Sequence, residues 1–164
     1  MTLPQYPPYL NESFVSLTAA LLAPTSRGSI SLQSNTIQDA PVINLNYLQS
    51  PIDQQYALLM FHSLREILDQ GGQDNYTIGP NHGEVVPGAS VTDDAAIMEY
   101  IKSTLQPVWH ASGTCRMLPR EDGGVVDDRL KVYGVDNLRI VDASIFPVIP
   151  GMHADYQTFY RHVD

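Results

Sequence analysis

Trp109-His110-Ala111-Ser112-Gly113-Thr114-Cys115-Arg116-Met117 is the most informative stretch of this chain. It follows a proline, Pro107, that closes a helical pattern, so His110 stands where the chain emerges into a loop. Loops carried on a rigid scaffold are where catalytic groups concentrate. Further on, Leu138-Arg139-Ile140-Val141-Asp142-Ala143-Ser144 reads as a short strand running into a tight polar turn, and a second histidine follows in Pro150-Gly151-Met152-His153. Taken alone, a histidine in a loop is more often a satisfied hydrogen-bonding group than a base. Two distant histidines with no third ligand at a telling spacing do not make a zinc site. No Gly-x-Ser-x-Gly is present, so a nucleophile elbow has no support. Cys115 reads better as a buried structural thiol than as a nucleophile. Asp142, taken alone, reads best as a group that caps the turn after it.

Upstream, residues 1–13 are rich in proline and read as an extended lead-in, and an apolar run over residues 14–23 stops at Pro24. Ser29-Ile30-Ser31-Leu32-Gln33 alternates polar and apolar, the pattern of a half-buried strand. Pro41-Val42-Ile43-Asn44 is a second short extended piece. Residues 52–69 form the clearest helix, with Ile52, Tyr56, Leu59, Met60, Leu64, Ile67 and Leu68 at helical spacing. Ser50 is its expected N-cap, Pro51 suits the first turn, and Gly71-Gly72 ends it. A polar, glycine-rich loop is expected over residues 71–91. A second helix then starts with Thr92 as N-cap and runs to about Leu105, burying Ile97, Met98, Ile101 and Leu105. From there turns alternate with short strands at 123–126, 130–135 and 138–141.

The 164 residues suffice for one compact domain. At 43% hydrophobic the chain is no disordered polymer, and at 16% charged it is well below the usual level of about 25%. A surface so poor in charge suits a piece that sits against something else. The net charge of −9, from 9 basic and 18 acidic residues, argues against nucleic acid and against an anionic membrane surface as partners. Cys115 is the single cysteine, so no internal disulfide exists. No apolar run is long enough for a membrane helix, and the first residues carry no signal-peptide pattern, so the compartment stays open.

Several ordered motifs together resemble the glucose-methanol-choline (GMC) oxidoreductase family, in the style of its fungal branch of glucose oxidase and aryl-alcohol oxidase. They are His110-x-x-Gly113-Thr114-Cys115-x-Met117, Gly124-Val125-Val126-Asp127, the run from Leu130 through Asp142-Ala143-Ser144 to Pro147, and His153. Pro24-x-Ser26-Arg27-Gly28-x-Ile30-x-Leu32 and Pro41-x-Ile43-x-x-Asn46-Tyr47-Leu48 resemble strands of that family's substrate domain. The resemblance covers residues 17–160, nearly the whole chain.

It implies an α+β piece: a mostly antiparallel substrate-domain sheet with two or three helices, and a C-terminal segment that returns to a flavin-binding domain. Residues 14–164 would be the family's C-terminal domain, truncated at its end. The implied function is FAD-dependent oxidation of a CH–OH group, with hydride moving from a small-molecule alcohol to the flavin. His110 matches the catalytic base, and a neutral imidazole suits that task near pH 7. His153 matches the second position that hydrogen-bonds the substrate oxygen. Asp142, Ala143, His153 and Ala154 match the segments that approach FAD.

The family's Gly-x-Gly-x-x-Gly diphosphate motif has no counterpart among the 11 glycines. The expected partner is therefore a missing N-terminal flavin domain, and the isolated chain is expected to be inactive. An inactive pseudoenzyme without flavin, or a redox-neutral lyase or cyclase on the same scaffold, are the alternatives the resemblance leaves open. Fungal relatives are often secreted.

Overall fold

The computed structural model describes residues 16–71 and 84–149. His153, Ala154, His82, the lead-in over residues 1–13 and much of the glycine-rich loop lie outside the described residues. What is described is a small α+β arrangement with two α-helices and one two-stranded antiparallel sheet. It divides into two compact units. One comprises the chain up to Leu21 with Leu48–Gln106, the other Leu22–Tyr47 with the chain from Pro107 on.

The first unit is a helix pair. Helix α1 spans Pro51–Gly71, with Pro51 at its first position, where the missing N–H costs nothing. The Ser50 carbonyl accepts the first intrahelical bond, from the Gln54 N–H at 3.2 Å. The Gln54 side chain in turn donates to the Leu48 carbonyl at 2.7 Å, which fastens the incoming chain to the first turn. Helix α2 spans Asp94–Thr104. Its N-cap is Asp93, not the expected Thr92: the Asp93 carboxylate accepts from the Ala96 N–H at 3.1 Å. An aspartate one residue later wins because its charge also favours the positive end of the helix.

Leu48, Ala57 and Met98 form the core between the helices, with Leu58 and Ile101 packed against it. Ile97 is fully buried. Leu105, expected to be buried, is the C-cap and is exposed, because the helix stops one residue short of it. On α1 the expected apolar face is only partly used. Ile52, Tyr56, Leu59 and Ile67 are exposed, while Asp53 and Ala57 are buried. The small side chain at 57 faces the core with Leu48 and Met98, and no other described element covers the outer stripe.

A polar lattice reinforces the pair. Arg65 donates to both carboxylate oxygens of Glu84, at 2.7 and 2.9 Å, and its guanidinium lies 4.5 Å from the Phe61 ring centroid. Such forked, partly buried pairs are the strong class of ion pair. The hydrogen bonds to Glu84 hold the Arg65 guanidinium above its usual range, with burial working against them. The raised value leaves its contribution intact throughout the usual pH range, to be lost only in strong alkali. Phe61 meets Tyr100 edge to face, with centroids 6.0 Å apart. His62 Nε2 lies 2.8 Å from Asp94 Oδ1, bridging the two helices.

In the second unit, β1 (Ser29–Ser31) pairs with β2 (Val42–Asn44) in the register Ser29 to Asn44, Ile30 to Ile43, Ser31 to Val42. Gly28 precedes β1 where an added Cβ would strike the Asn44 carbonyl oxygen, so only glycine admits that approach. The expectation of a half-buried strand is not met. Ile30 and Ile43 are 55% and 58% exposed, because nothing described covers their shared face. A two-stranded ribbon is marginal by itself.

From Met117 to Arg139, single bridges stand in place of the expected short strands: Met117 with Val126, Val126 with Val132, and Lys131 with Arg139. The first two meet at Val126, which is fully buried. Gly124 passes so close to Leu118 that any Cβ would overlap its carbonyl oxygen. Among the described residues no helix is long and apolar enough to cross a membrane.

Gly124→Ala should therefore force the 118–119 backbone aside and cost about 1–3 kcal/mol, the scale of overpacking. Denaturant unfolding of the protein would show it as a lower midpoint; an unchanged midpoint would mean that the crossing at Leu118 is slack.

Candidate active site

The chain leaves α2 through the Leu105 cap, whose N–H donates to the Ile101 carbonyl at 2.8 Å, and reaches Trp109 in a left-handed conformation with φ 58°. His110 follows, half-buried and engaged in the surrounding structure. Gly113 is left-handed as well, φ 79°, and a Cβ there would sit 3.3 Å from the Phe146 carbonyl oxygen. Glycine is thus needed for both torsion and space.

Beyond Gly113 the backbone is stitched to a distant segment. The N–H groups of Gly113, Cys115 and Met117 donate to the carbonyls of Ala143, Ser144 and Ile145 at 3.3, 2.8 and 2.8 Å. The other side of the same stretch is held too: the Arg116 carbonyl accepts from the Val125 N–H at 2.9 Å. Ile145, 4% exposed, buries its side chain at the end of the seam.

The acceptor segment is a single 3-10 turn, Ala143–Ile145, capped by Asp142. Asp142 Oδ1 accepts the Ser144 N–H at 2.8 Å. The capping role left open by the sequence is therefore present in the geometry, and the exposed carboxylate keeps further acceptor capacity toward solvent. The structure brings the loop of His110 and the Asp142-Ala143 turn into one hydrogen-bonded frame. It says nothing of His153 or Ala154, which lie outside the described residues. Cys115 is a free thiol, half-buried rather than buried, on the stitched stretch. Among the described residues no cluster of His, Cys, Asp and Glu is suited to a metal ion. The left-handed backbone at Trp109 has no signal in the sequence, since a tryptophan does not mark that conformation.

A family model described as GMC oxidoreductase matches residues 24–158. The chain belongs to the GMC oxidoreductase family. This member is 40% identical over 143 residues to the dehydrogenase pkfF of Emericella nidulans, covering 87% of this chain and 23% of that protein. It is 41% identical over 145 residues to the glucose methanol choline oxidoreductase atC of Aspergillus terreus, covering 88% and 23%. Among solved structures, an FAD-dependent oxidoreductase from Chaetomium thermophilum superposes with a TM-score of 0.74 at 33% identity, covering 84% of this chain and 23% of that one. A fungal aryl-alcohol oxidase gives 0.70 at 34% identity, covering 85% and 22%. This GMC chain thus spans under a quarter of the length of the curated relatives it matches.

Asp142→Ala removes the cap and should cost about 0.5–2 kcal/mol, the range for a lost N-cap, whereas Asp142→Asn should cost less because an acceptor remains. Equilibrium unfolding of the two variants checks this; equal losses would show that charge rather than capping holds the turn.

Proposed function

We propose that this chain is the base-bearing, substrate-side portion of an FAD-dependent oxidoreductase that oxidises a CH–OH group of a small alcohol. The supporting observation is the seam itself. It fastens the loop of His110 to the Asp142-Ala143 turn, so a base and a cofactor-facing turn share one rigid frame.

The residues present fit a share of the cofactor. The outer face of the Asp142 carboxylate is an acceptor, which suits hydroxyl groups of a ribityl chain and would repel a diphosphate. Ala143 adds only a methyl beside it, leaving room for close approach. His153 and Ala154 complete the proposed cofactor contacts. The diphosphate site falls to the proposed N-terminal flavin domain, which belongs to the length this chain does not span. On this reading residues 14–164 are the C-terminal domain, with residues 1–13 leading in.

FAD, when bound, supplies the two-electron acceptor that takes a hydride from the carbinol carbon. The chain's own residues manage the proton. The hydroxyl proton passes to the unprotonated ring nitrogen of His110, so that charge does not build up on oxygen as the C–H bond is broken. His153 hydrogen-bonds the same oxygen and orients the carbinol. The product is the carbonyl compound, with the proton held on His110 until solvent removes it.

In the full-length flavoprotein, His110→Ala should slow anaerobic flavin bleaching by alcohol by about 10²–10⁴-fold, the scale of a general base. Near-parental bleaching by that variant would sink the reading, and turnover without any bleaching would favour a redox-neutral reaction.

A further inference from the structure

Lys131 and Arg139 stand opposite each other across an antiparallel bridge. The Val132 N–H donates to the Leu138 carbonyl at 3.0 Å, and the Ile140 N–H to the Leu130 carbonyl at 3.1 Å. These bonds flank the pair. Residues 131 and 139 therefore form a non-hydrogen-bonded pair, the kind that brings opposed side chains closest, with Cα atoms about 4.5 Å apart. Both are exposed, whereas Val132 and Ile140 beside them are half-buried. The Arg139 Nε–H donates to the Arg129 carbonyl at 3.2 Å, which holds the guanidinium beside the stretch that carries Lys131.

Like charges directly opposite destabilise a strand pair. Among the described residues neither Lys131 nor Arg139 enters an ion pair that would relieve them. The Asp127 carboxylate is turned to the backbone, its Oδ1 accepting from the N–H groups of Arg129 and Lys131 at 2.9 and 2.8 Å. Asp142 caps its own turn. An oxyanion from outside the hairpin would convert the repulsion into two attractions. Arginine offers a planar fork of donors that matches a carboxylate, and lysine a mobile point charge. Position selects the source. Arg139 leads through Ile140 and Val141 straight into the Asp142-Ala143 turn, which faces the cofactor on the reading above. The chain spans under a quarter of the length of its curated relatives, so most of such a protein is available to meet this hairpin.

We infer that Lys131 and Arg139 form a paired cationic clasp for a carboxylate on the flavin-binding portion of the longer polypeptide. The clasp fastens the hairpin, and with it the Asp142-Ala143 turn, to the domain that holds the flavin. This rests on the oxidoreductase reading above.

The test is a charge reversal whose sign separates the two cases. Lys131→Glu leaves the Arg139 bond to the Arg129 carbonyl in place and sets a carboxylate opposite the guanidinium. Within the hairpin alone that replaces repulsion by attraction, and flavin retention should be equal or better. At a clasp it sets carboxylate against carboxylate. In the full-length flavoprotein at low salt, Lys131→Glu should release flavin about tenfold faster than the parent, the scale of one charge contact at an interface, as read from the rise in flavin fluorescence. Lys131→Gln should fall between the two. Added salt should speed release from the parent and narrow its difference from Lys131→Glu, because screening weakens the clasp.

Release from Lys131→Glu as slow as from the parent, or slower, overturns the inference. So does faster release with a difference that salt does not change, which would mean that the lysine stem packs within the hairpin. Adding Asp127→Asn, which keeps the acceptor oxygen, should not restore slow release; restoration would trace the loss to Asp127 and overturn the clasp. A dimer lost in Lys131→Glu with unchanged release overturns it too, giving the pair to a second copy. If Lys131→Glu fails to fold, Lys131→Gln carries the same test. The two readings fail separately. A flavoprotein bleached by alcohol through His110 but indifferent to Lys131→Glu loses only the clasp, whereas a full-length protein that retains no flavin loses both.

Discussion

Three backbone hydrogen bonds, from Gly113, Cys115 and Met117 to Ala143, Ser144 and Ile145, hold the loop after His110 to the Asp142-Ala143 turn. The segments they join are far apart in sequence, and neither is a regular strand. The seam depends on features that side chains must not disturb. Gly113 supplies a torsion and a space that a Cβ would spoil, and Gly124 lets the backbone cross Leu118. Val126 and Ile145, buried at the two sides of the seam, contribute the apolar burial that makes it more than a set of exposed bonds. The ordering of this stretch thus comes from backbone groups rather than from side chains.

The helix-pair unit is built on different grounds. Its apolar core is small, so capping and ion pairing carry an unusual share of its definition. Asp93 starts α2, Gln54 ties the entry of α1, and Arg65 gathers Glu84 and Phe61 around one guanidinium. The outer stripe of α1 and the shared face of Ile30 and Ile43 stay open. A chain that spans under a quarter of its relatives' length, poor in charge and rich in uncovered apolar surface, is consistent with a piece that packs against the remainder of a larger protein.

Much of this was legible in the sequence where the signal is local. The boundaries of α1 follow from Ser50-Pro51 and the glycine pair, and the extended course of β1 and β2 from the alternation over Ser29–Gln33 and from Pro41-Val42-Ile43-Asn44, though not their pairing. The GMC family is recognisable because several motifs stand in order across the chain. What could not be read is what depends on the third dimension. Leu105 fits the helical period yet lies outside the helix: its N–H still donates to the Ile101 carbonyl, but its own backbone has turned away to ψ 131°. Periodicity marked Ile52, Tyr56, Leu59 and Ile67 as a core face without knowing that no described partner covers it. The short strands expected at 123–126, 130–135 and 138–141 became isolated bridges, because the tight turns at Gly123 and Asn137 leave no length for ladders. The capping of Ser144 by Asp142 was one of two readings of that aspartate, and the geometry admits both at once: one oxygen holds the turn while the carboxylate remains exposed.

The seam is open to direct measurement through amide hydrogen exchange at Cys115 and Met117. If the two amides donate to Ser144 and Ile145 as described, both should exchange slowly, with protection comparable to that of Val132, whose N–H donates to the Leu138 carbonyl at 3.0 Å. Exchange at both sites as fast as in an open loop would contradict the seam, and with it the frame on which the placement of His110 rests.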